Sequence, residues 1–455
     1  MDNPTFLFKN IPNNGPQPTF IGKKFSHLIF FYYFCTINVN HQRQMGLYNI
    51  GMWLFEGLVT LGSLRNKKAK LWKEGRRDIL NRMAKSIDPN DDIVWVHCAS
   101  LGEFEQGRPI IEQIRKIDTS KKILLTFFSP SGYEIRKNYE GADYIFYLPL
   151  DHKRNVRRFM DIVKPKAAIF IKYEFWHNYL NELGKRNVPT YVVSAIFRPK
   201  SIFFRPWGGS WRKALKNFTT IFVQNEESKE LLKGIGQENV VVAGDTRFDR
   251  VAAIAKMARH IPIVENFRGD SRLFVAGSTW GPDEEILIEL INDNPTIRFV
   301  VAPHEMDEGR IKRIIDEVKG GAKRYTESDE ATDFSNTQVL ILDTVGILSA
   351  VYGYATWSYI GGGFGVGIHN TLEAATFGLP IAFGPKYKKF QEACDMIELH
   401  AATSVKSAKE LKEWFEPLRD DEEHLAAASH AAKGYAEHNC GATALVVKAV
   451  LGKKN

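Results

Sequence analysis

Short apolar runs alternate with charged, helix-patterned segments from Ile93 almost to the end of the chain, and few folds accommodate that rhythm. Between Ile93 and Gly244 the runs are IVWVHCAS, KILLTFFS, YIFYLPL, AAIFIKYEFW, TYVVSAI and TIFVQN. A second series, RLFVAG, RFVVAP, QVLILDT, WSYIGGG and PIAFGP, begins near Arg272. Strands buried on both faces read as unbroken apolar runs, and parallel neighbours need helical crossovers. The reading is α/β: two doubly wound, Rossmann-like domains facing a cleft, with ligand sites at the carboxyl ends of both sets of strands. The first domain is placed at residues 79–255, a linker at 256–270 and the second domain at 271–455. No internal repeat of solenoid period is visible.

With 455 residues, 44% of them hydrophobic, the chain can bury more than one core. The net charge of +8 is a mild excess, compatible with anionic lipid, a phosphorylated substrate or nucleic acid, and no nucleic-acid motif supports the last. Cys35, Cys98, Cys394 and Cys440 have no metal-like spacing and read as reduced thiols, Cys98 as a small core residue.

Residues 1–44 differ from the rest and read as a disordered extension, or as residues upstream of a true start at Met45. Their one apolar run, His27 to Val39, is too short to span a bilayer, and no small-residue cleavage site follows it. After Met45, Leu47, Ile50, Leu54, Leu58 and Leu61 share a helical face interrupted by one charge, Glu56. Arg65, Lys67, Lys68, Lys70, Lys73, Arg76 and Arg77 follow. Residues 45–78 therefore read as a membrane-associated helix, near residues 46–63, with a basic flank. An ordinary amphipathic helix packed on the first domain is the other reading.

Chemistry-bearing residues fall at the strand ends. Glu103 follows the first strand at a strand-to-helix junction, where it suits a general base or, more plainly, an acid satisfying the helix dipole. Glu174 lies between aromatics after the fourth, and Arg247 follows a strand in GDTRFD. In the second series Pro303 and His304 end a strand, and Gly346, Ile347 and Leu348 stand at a helix start. The glycine turn IGGGFGVGIHNTLEAATFGLPIAFGP is expected to present free N–H groups to an anion at a helix that His369 opens. Asn370 and Glu373 share a face of that helix, beside Thr371 and Leu372. A tight turn with a capped helix accounts for the same residues. No DxD-type metal cluster follows a strand, since Asp91 and Asp92 precede one.

HCASLGEFEQGRPII, LLTFFSPSGYEIRKNY, YLPLDHKRNVRRF, VVAPHEMDEGRI and GIHNTLEAATFGLPIAFGP together resemble the Kdo transferases, and the likeness runs from about Met45 to the C-terminus. These enzymes move 3-deoxy-D-manno-octulosonic acid (Kdo) from CMP-Kdo to the lipid A precursor. The resemblance implies a GT-B glycosyltransferase, inverting, free of metal and cofactor, working in lipopolysaccharide synthesis on the cytoplasmic face of the inner membrane. Its partners would be CMP-Kdo, the lipid A precursor and an anionic membrane surface, with no nucleic acid. It implies Glu103 as general base, Glu174 and Arg247 as catalytic assistants, and CMP binding by Pro303, His304, Gly346, Ile347, Leu348, Asn370, Thr371, Leu372 and Glu373. Lys172 stands where many relatives have an acid, Arg247 replaces a more frequent lysine, and Thr371 a proline. Another GT-B transferase using a different nucleotide sugar, and a non-catalytic nucleotide-binding scaffold at the membrane, are the alternatives.

Overall fold

The computed structural model describes residues 41–257 and 260–452. The run His27 to Val39 and the rest of residues 1–40 lie outside the described residues. The chain divides into two compact units, one up to Thr246 together with the residues from Gly441 onward, the other Arg247–Cys440.

The first unit is built on a parallel sheet of seven strands: β1 (Ile93–Cys98), β2 (Lys122–Phe127), β3 (Tyr144–Tyr147), β4 (Ala167–Ile171), β5 (Thr190–Ala195), β6 (Thr220–Val223) and β7 (Val240–Val242). Their order, β3-β2-β1-β4-β5-β6-β7, reverses direction between β1 and β4. In a doubly wound sheet the crossovers on the two sides of that point go to opposite faces, so the chain parts there and leaves room for a ligand. β1 pairs in register with both neighbours, Val94 opposite Ile123 on one side and Ala167 on the other. All its residues are buried, as a strand covered on both faces requires.

The second unit repeats the plan with β8 (Leu273–Thr279), β9 (Arg298–Pro303), β10 (Ala322–Arg324), β11 (Val339–Ile341), β12 (Trp357–Ile360), β13 (Ile381–Phe383) and β14 (Ala402–Ser404). Its order is β10-β11-β9-β8-β12-β13-β14, reversing between β8 and β12. Two of its strands, β10 and β14, have no counterpart among the apolar runs of the sequence. Both are three-residue edge strands, half covered, with no continuous apolar run to mark them.

The sequence division puts a linker at 256–270, whereas the units part between Thr246 and Arg247. Helix Pro262–Arg268, inside that stretch, buries Val264 and Phe267 in the core of the second unit. The last helix, Ala442–Leu451, returns to the first unit, where Val446 and Val447 pack with Ile110, Ile111 and Ile114 of helix Leu101–Ile117. The Tyr191 hydroxyl donates to the Ala449 carbonyl at 3.0 Å and ties that helix to β5.

Helix His41–Gly62 lies on the first unit by the face that carries Tyr48, Met52 and Val59, packed with Ala69, Trp72 and Leu150. Tyr48 donates to the buried Asp151, Glu56 meets His152 at 3.0 Å, and the Trp53 indole stacks on the His152 ring at 4.2 Å. The leucine face read from the sequence points away: Ile50, Leu54 and Leu61 are more than half exposed, at 56, 60 and 66%. Trp53 and Leu64 extend the same exposed surface. The helix thus has two apolar sides, only one of them covered by protein. Among the described residues no helix is long and apolar enough to cross a membrane.

Arg76 departs from its expected place in the basic flank. Its guanidinium donates to the carbonyl oxygens of Leu148 (2.9 Å), Phe128 (2.7 Å) and Trp72 (3.2 Å), and lies over the Trp72 ring at 4.0 Å. Burial holds its pKa down, to about 9. It is a structural clamp between the N-terminal helices and the ends of β2 and β3. Arg76→Met keeps the aliphatic stem and strands three carbonyls, so the first unit should lose about 3 kcal/mol of stability. Urea unfolding of the full chain followed by tryptophan fluorescence measures this.

Candidate active site

In the first unit the carboxyl ends of β1 and β4, neighbours at the strand-order reversal, carry the two acids singled out in the sequence. Helix Leu101–Ile117 starts directly after β1, and Glu103 in its first turn reaches back to accept the Ala99 N–H at 2.5 Å. That bond matches the structural reading of Glu103 as a helix-start acid, but the residue does more than cap. Burial first, then the nearby Glu174 carboxylate, push the Glu103 pKa well above the usual carboxylate range. The Ala99 N–H, Lys172 and His97 oppose the shift without cancelling it.

Glu174 reaches the same place through a backbone irregularity. Lys172, the residue after β4, has φ 59°, left-handed and costly for a side chain with a Cβ, and the chain turns there before Glu174. The Glu174 carboxylate accepts the Trp176 indole N–H at 2.6 Å and lies 3.1 Å from Nε2 of His97. Burial raises its pKa too, and the Trp176 bond opposes the rise. Two acids with raised proton affinity that act on one another electrostatically form a single proton-holding unit.

His97 escaped the sequence reading. It sits on β1 in IVWVHC, fully buried, and a polar ring within an all-buried strand is the signal that marks it. Trp176, read only as an aromatic neighbour of Glu174, is its hydrogen-bond donor.

Arg247 is the first residue of the second unit. It opens helix Arg247–Lys256 of the second unit and pairs with Glu392 at 3.2 Å. Arg250, one turn on, lies near Glu373.

In the second unit the residues read as a donor site come together around the ends of β8, β9 and β12. Pro303 ends β9, and the following His304 ring stacks on His369 at 4.2 Å and lies tilted against Trp280 at 4.9 Å. Trp280 Nε1–H donates to His369 Nε2 at 3.2 Å, so that nitrogen is the unprotonated one. Burial, then His304, keep the His369 pKa down at about 4, and burial also lowers that of His304. The three rings are therefore an uncharged stacked surface at neutral pH.

Beside it, Asn370 donates to Glu373 at 2.9 Å, and the Ser349 hydroxyl donates to the other carboxylate oxygen. That contact brings the loop of Gly346 (φ 92°), Ile347 and Leu348 against the Asn370–Glu373 segment. Leu372 is fully buried with Phe248 and Val251, and Thr371 is buried as well, so their side chains belong to the core.

Five amides of the glycine turn are spent inside the protein rather than presented to a ligand. The helix begins at Leu372, not His369, and is five residues long. Gly361 N–H donates to Gly277, Gly362 N–H to Asp283, Gly365 and Gly367 N–H to Gly362, and His369 N–H to Gly361. Glycine is required there for close approach: a Cβ on Gly361 would meet the Ser278 carbonyl oxygen at 2.2 Å, and one on Gly363 the Gly384 Cα at 2.5 Å. Lys386 and Lys389 donate to the outward carbonyls of Phe364, Gly365 and Val366. Among the described residues no group of three or more His, Cys, Asp or Glu is arranged to hold a metal.

The family model described as 3-deoxy-D-manno-octulosonic-acid transferase (kdotransferase) matches residues 70–250, the stretch that carries Glu103 and Glu174. A 3-deoxy-D-manno-octulosonic acid transferase of Aquifex aeolicus is 28% identical over 70% of this chain and 83% of its own length. One of Rickettsia bellii is 28% identical over 76% of this chain and 85% of its own. A bifunctional glycosyltransferase/methyltransferase of Fusobacterium nucleatum is 24% identical over 65% of this chain, which spans about half, 47%, of that relative. Among solved structures, a UDP-GlcNAc 2-epimerase from Neisseria meningitidis bound to UDP-GlcNAc superimposes with TM-score 0.56 over 80% of this chain and 100% of its own, at 16% identity. That likeness concerns the fold alone, two Rossmann-like units with parallel sheets. With the matched domain, the transferase relatives and the two reversing sheets together, the chain is a glycosyltransferase of GT-B architecture, similar to the Kdo transferases.

Proposed function

We propose that this protein transfers Kdo from CMP-Kdo to the lipid A precursor, with inversion and without a metal ion, at the cytoplasmic face of the inner membrane. The observation that carries this reading is the Glu103–Glu174 pair at the β1/β4 reversal, inside the stretch matched by the transferase family model. A base works best when its pKa lies near the working pH, and burial beside a second carboxylate moves Glu103 in that direction. In the proposed step the acceptor hydroxyl attacks the anomeric carbon of Kdo, its proton passes to the Glu103 carboxylate, and the bond to CMP breaks on the opposite side. Lys172 favours the ionised form of Glu103.

On the donor side, the His304–His369–Trp280 surface offers stacking to a flat, uncharged base, and Glu373 and Asn370 offer hydrogen bonds to ribose hydroxyls. CMP leaves with a single phosphate, for which Arg247 and Arg250 supply positive charge of the right kind. Membrane contact is assigned to the exposed side of helix His41–Gly62, with Arg65, Lys67, Lys70, Lys73 and Arg77 exposed just beyond it. Each basic residue near an anionic surface contributes about 1 kcal/mol, and the buried apolar side chains add to that.

Incubation with CMP-Kdo and lipid A precursor, followed by mass spectrometry of the lipid, should show the mass of added Kdo. Glu103→Gln should lower that transfer at least about 100-fold while CMP affinity is retained, because the amide keeps the shape and loses the basicity. Turnover like that of the wild type would remove Glu103 from the role of base.

Treatment with EDTA should leave the rate unchanged. Loss of activity that a divalent ion restores would contradict the metal-free reading.

Replacing Leu54 and Leu61 together by Asp, on the side of the helix that touches no protein core, should abolish co-sedimentation with anionic vesicles. CMP binding should be preserved. Retained sedimentation would place the membrane contact elsewhere.

A further inference from the structure

His97 is a fully buried imidazole that the proposed step does not use. Its Nδ1 lies 3.1 Å from the carbonyl oxygen of Thr126 and 2.9 Å from the Thr126 hydroxyl, and its Nε2 lies 3.1 Å from Oε2 of Glu174. A backbone carbonyl only accepts, and the Trp176 indole N–H also donates to Nε2 at 3.3 Å, so the two contacts together put the ring proton on Nδ1. Nε2 then presents a lone pair to a carboxyl oxygen. Two lone pairs at that distance repel, and a hydrogen bond forms only if Glu174 carries a proton. The Trp176 N–H, 2.6 Å from the same Oε2, fits this state, since a carboxylic hydroxyl oxygen still accepts while it donates.

The surroundings divide. Burial and the Glu174 charge raise the Glu103 pKa to about 8, against about 7 for Glu174. The Ala99 N–H, Lys172 and His97 favour the ionised form of Glu103, so the His97 contact is what selects the carrier of the proton. Glu103 lies on the helix after β1, Lys172 and Tyr173 follow β4, Arg76 comes from the N-terminal segment, and Cys98 is next to His97 on β1. Burial and then the two carboxylates keep the Cys98 thiol protonated. Burial, aided by Arg76, keeps His97 neutral despite Glu103, while Lys172 favours a charge on Glu103. A buried pair of carboxylates cannot cheaply hold two negative charges, so one proton remains between them.

We propose that His97 is a positioning residue that holds the proton shared by the two carboxylates on Glu174, leaving Glu103 ionised to act as the base. This rests on the transfer reading for the role of Glu103, but the location of the proton is a property of the protein without substrate.

Two measurements test it: carbon-13 NMR of the glutamate carboxyl groups in the substrate-free full-length protein, and the pH profile of kcat/KM for transfer. At pH 7 the wild-type spectrum should show Glu174 protonated and Glu103 ionised. In His97→Phe, with no acceptor for the Glu174 proton, the Glu103 signal and the acid limb of the rate should both move to higher pH by about one unit. His97→Gln, whose amide oxygen accepts a proton donor, should bring both part of the way back. Glu174→Gln, a fixed neutral donor toward Nε2, should move the acid limb to lower pH. A merely structural role for His97 would reduce kcat with the limb in place, and would overturn the proposal. So would a Glu174 ionised at pH 7 in the wild type. If His97→Phe does not fold, the wild-type spectrum and the two glutamine variants decide. A protonated Glu174 in a protein that transfers no Kdo would refute the transfer reading and leave the proton assignment standing.

Discussion

The first unit depends on the enforced closeness of two carboxylates where the strand order reverses. Burying an ionised carboxyl away from water is costly unless it is paired or neutralised, and here the charge of Glu174 raises the proton affinity of its neighbour Glu103 on top of burial. The sheet makes this unavoidable. β1 and β4 are hydrogen-bonded neighbours, so the residues leaving their carboxyl ends meet however the rest of the chain is arranged. The energetic cost is contained by rigid partners: the Ala99 N–H on Glu103, the Trp176 indole on Glu174, and a chain from Trp95 through Thr126 to His97 below them. Helix Leu101–Ile117 is fixed in turn by the returning helix Ala442–Leu451. The terminal residues of the chain therefore bear on the placement of Glu103, more than three hundred positions earlier in the sequence.

Much of this architecture is legible in the sequence because buried parallel strands write themselves as apolar runs, as IVWVHC and RLFVAG do. What the runs cannot encode is short edge pairing, which is why β10 and β14 are visible only in three dimensions. The carboxylates were legible as strand-end residues, since Glu103 and Glu174 follow the two central strands directly. Their coupling was not, because it depends on which strands are neighbours. His97 was hidden for a related reason: its partners Thr126 and Glu174 lie 29 and 77 residues away, and only the sheet brings them together. Arg76 looked like one more member of a basic run. Its three carbonyl partners come from segments that sequence proximity does not connect.

The helix after Met45 illustrates a different ambiguity. Periodicity identifies an apolar face but does not say what covers it, and this helix has two such faces. The one rich in leucine and isoleucine looks outward, while tyrosine, methionine and valine pack on the unit. The side that binds protein also carries the groups able to make specific polar contacts, Tyr48 to Asp151 and Glu56 to His152. That division is physically sensible. Directional hydrogen bonds fix the rotation of the helix about its axis, and the aliphatic side, which has no directional demand, is left exposed.

The second unit shows what glycine does in its turn, which is to let backbone segments approach closely. Every amide of the turn with an assigned bond is spent inside the protein, and Gly361 and Gly363 are glycines because backbone from β8 and β13 passes where a Cβ would be. What the turn does accomplish is indirect. By drawing the ends of β8, β12 and β13 together, it sets the His369 ring against His304 and Trp280 and delivers Asn370 and Glu373 to the loop of Ser349. Lys386 and Lys389 hold its outer carbonyls, so the loop is braced on both sides. The side chains gathered beside it are accordingly neutral aromatic rings, one amide and one carboxylate.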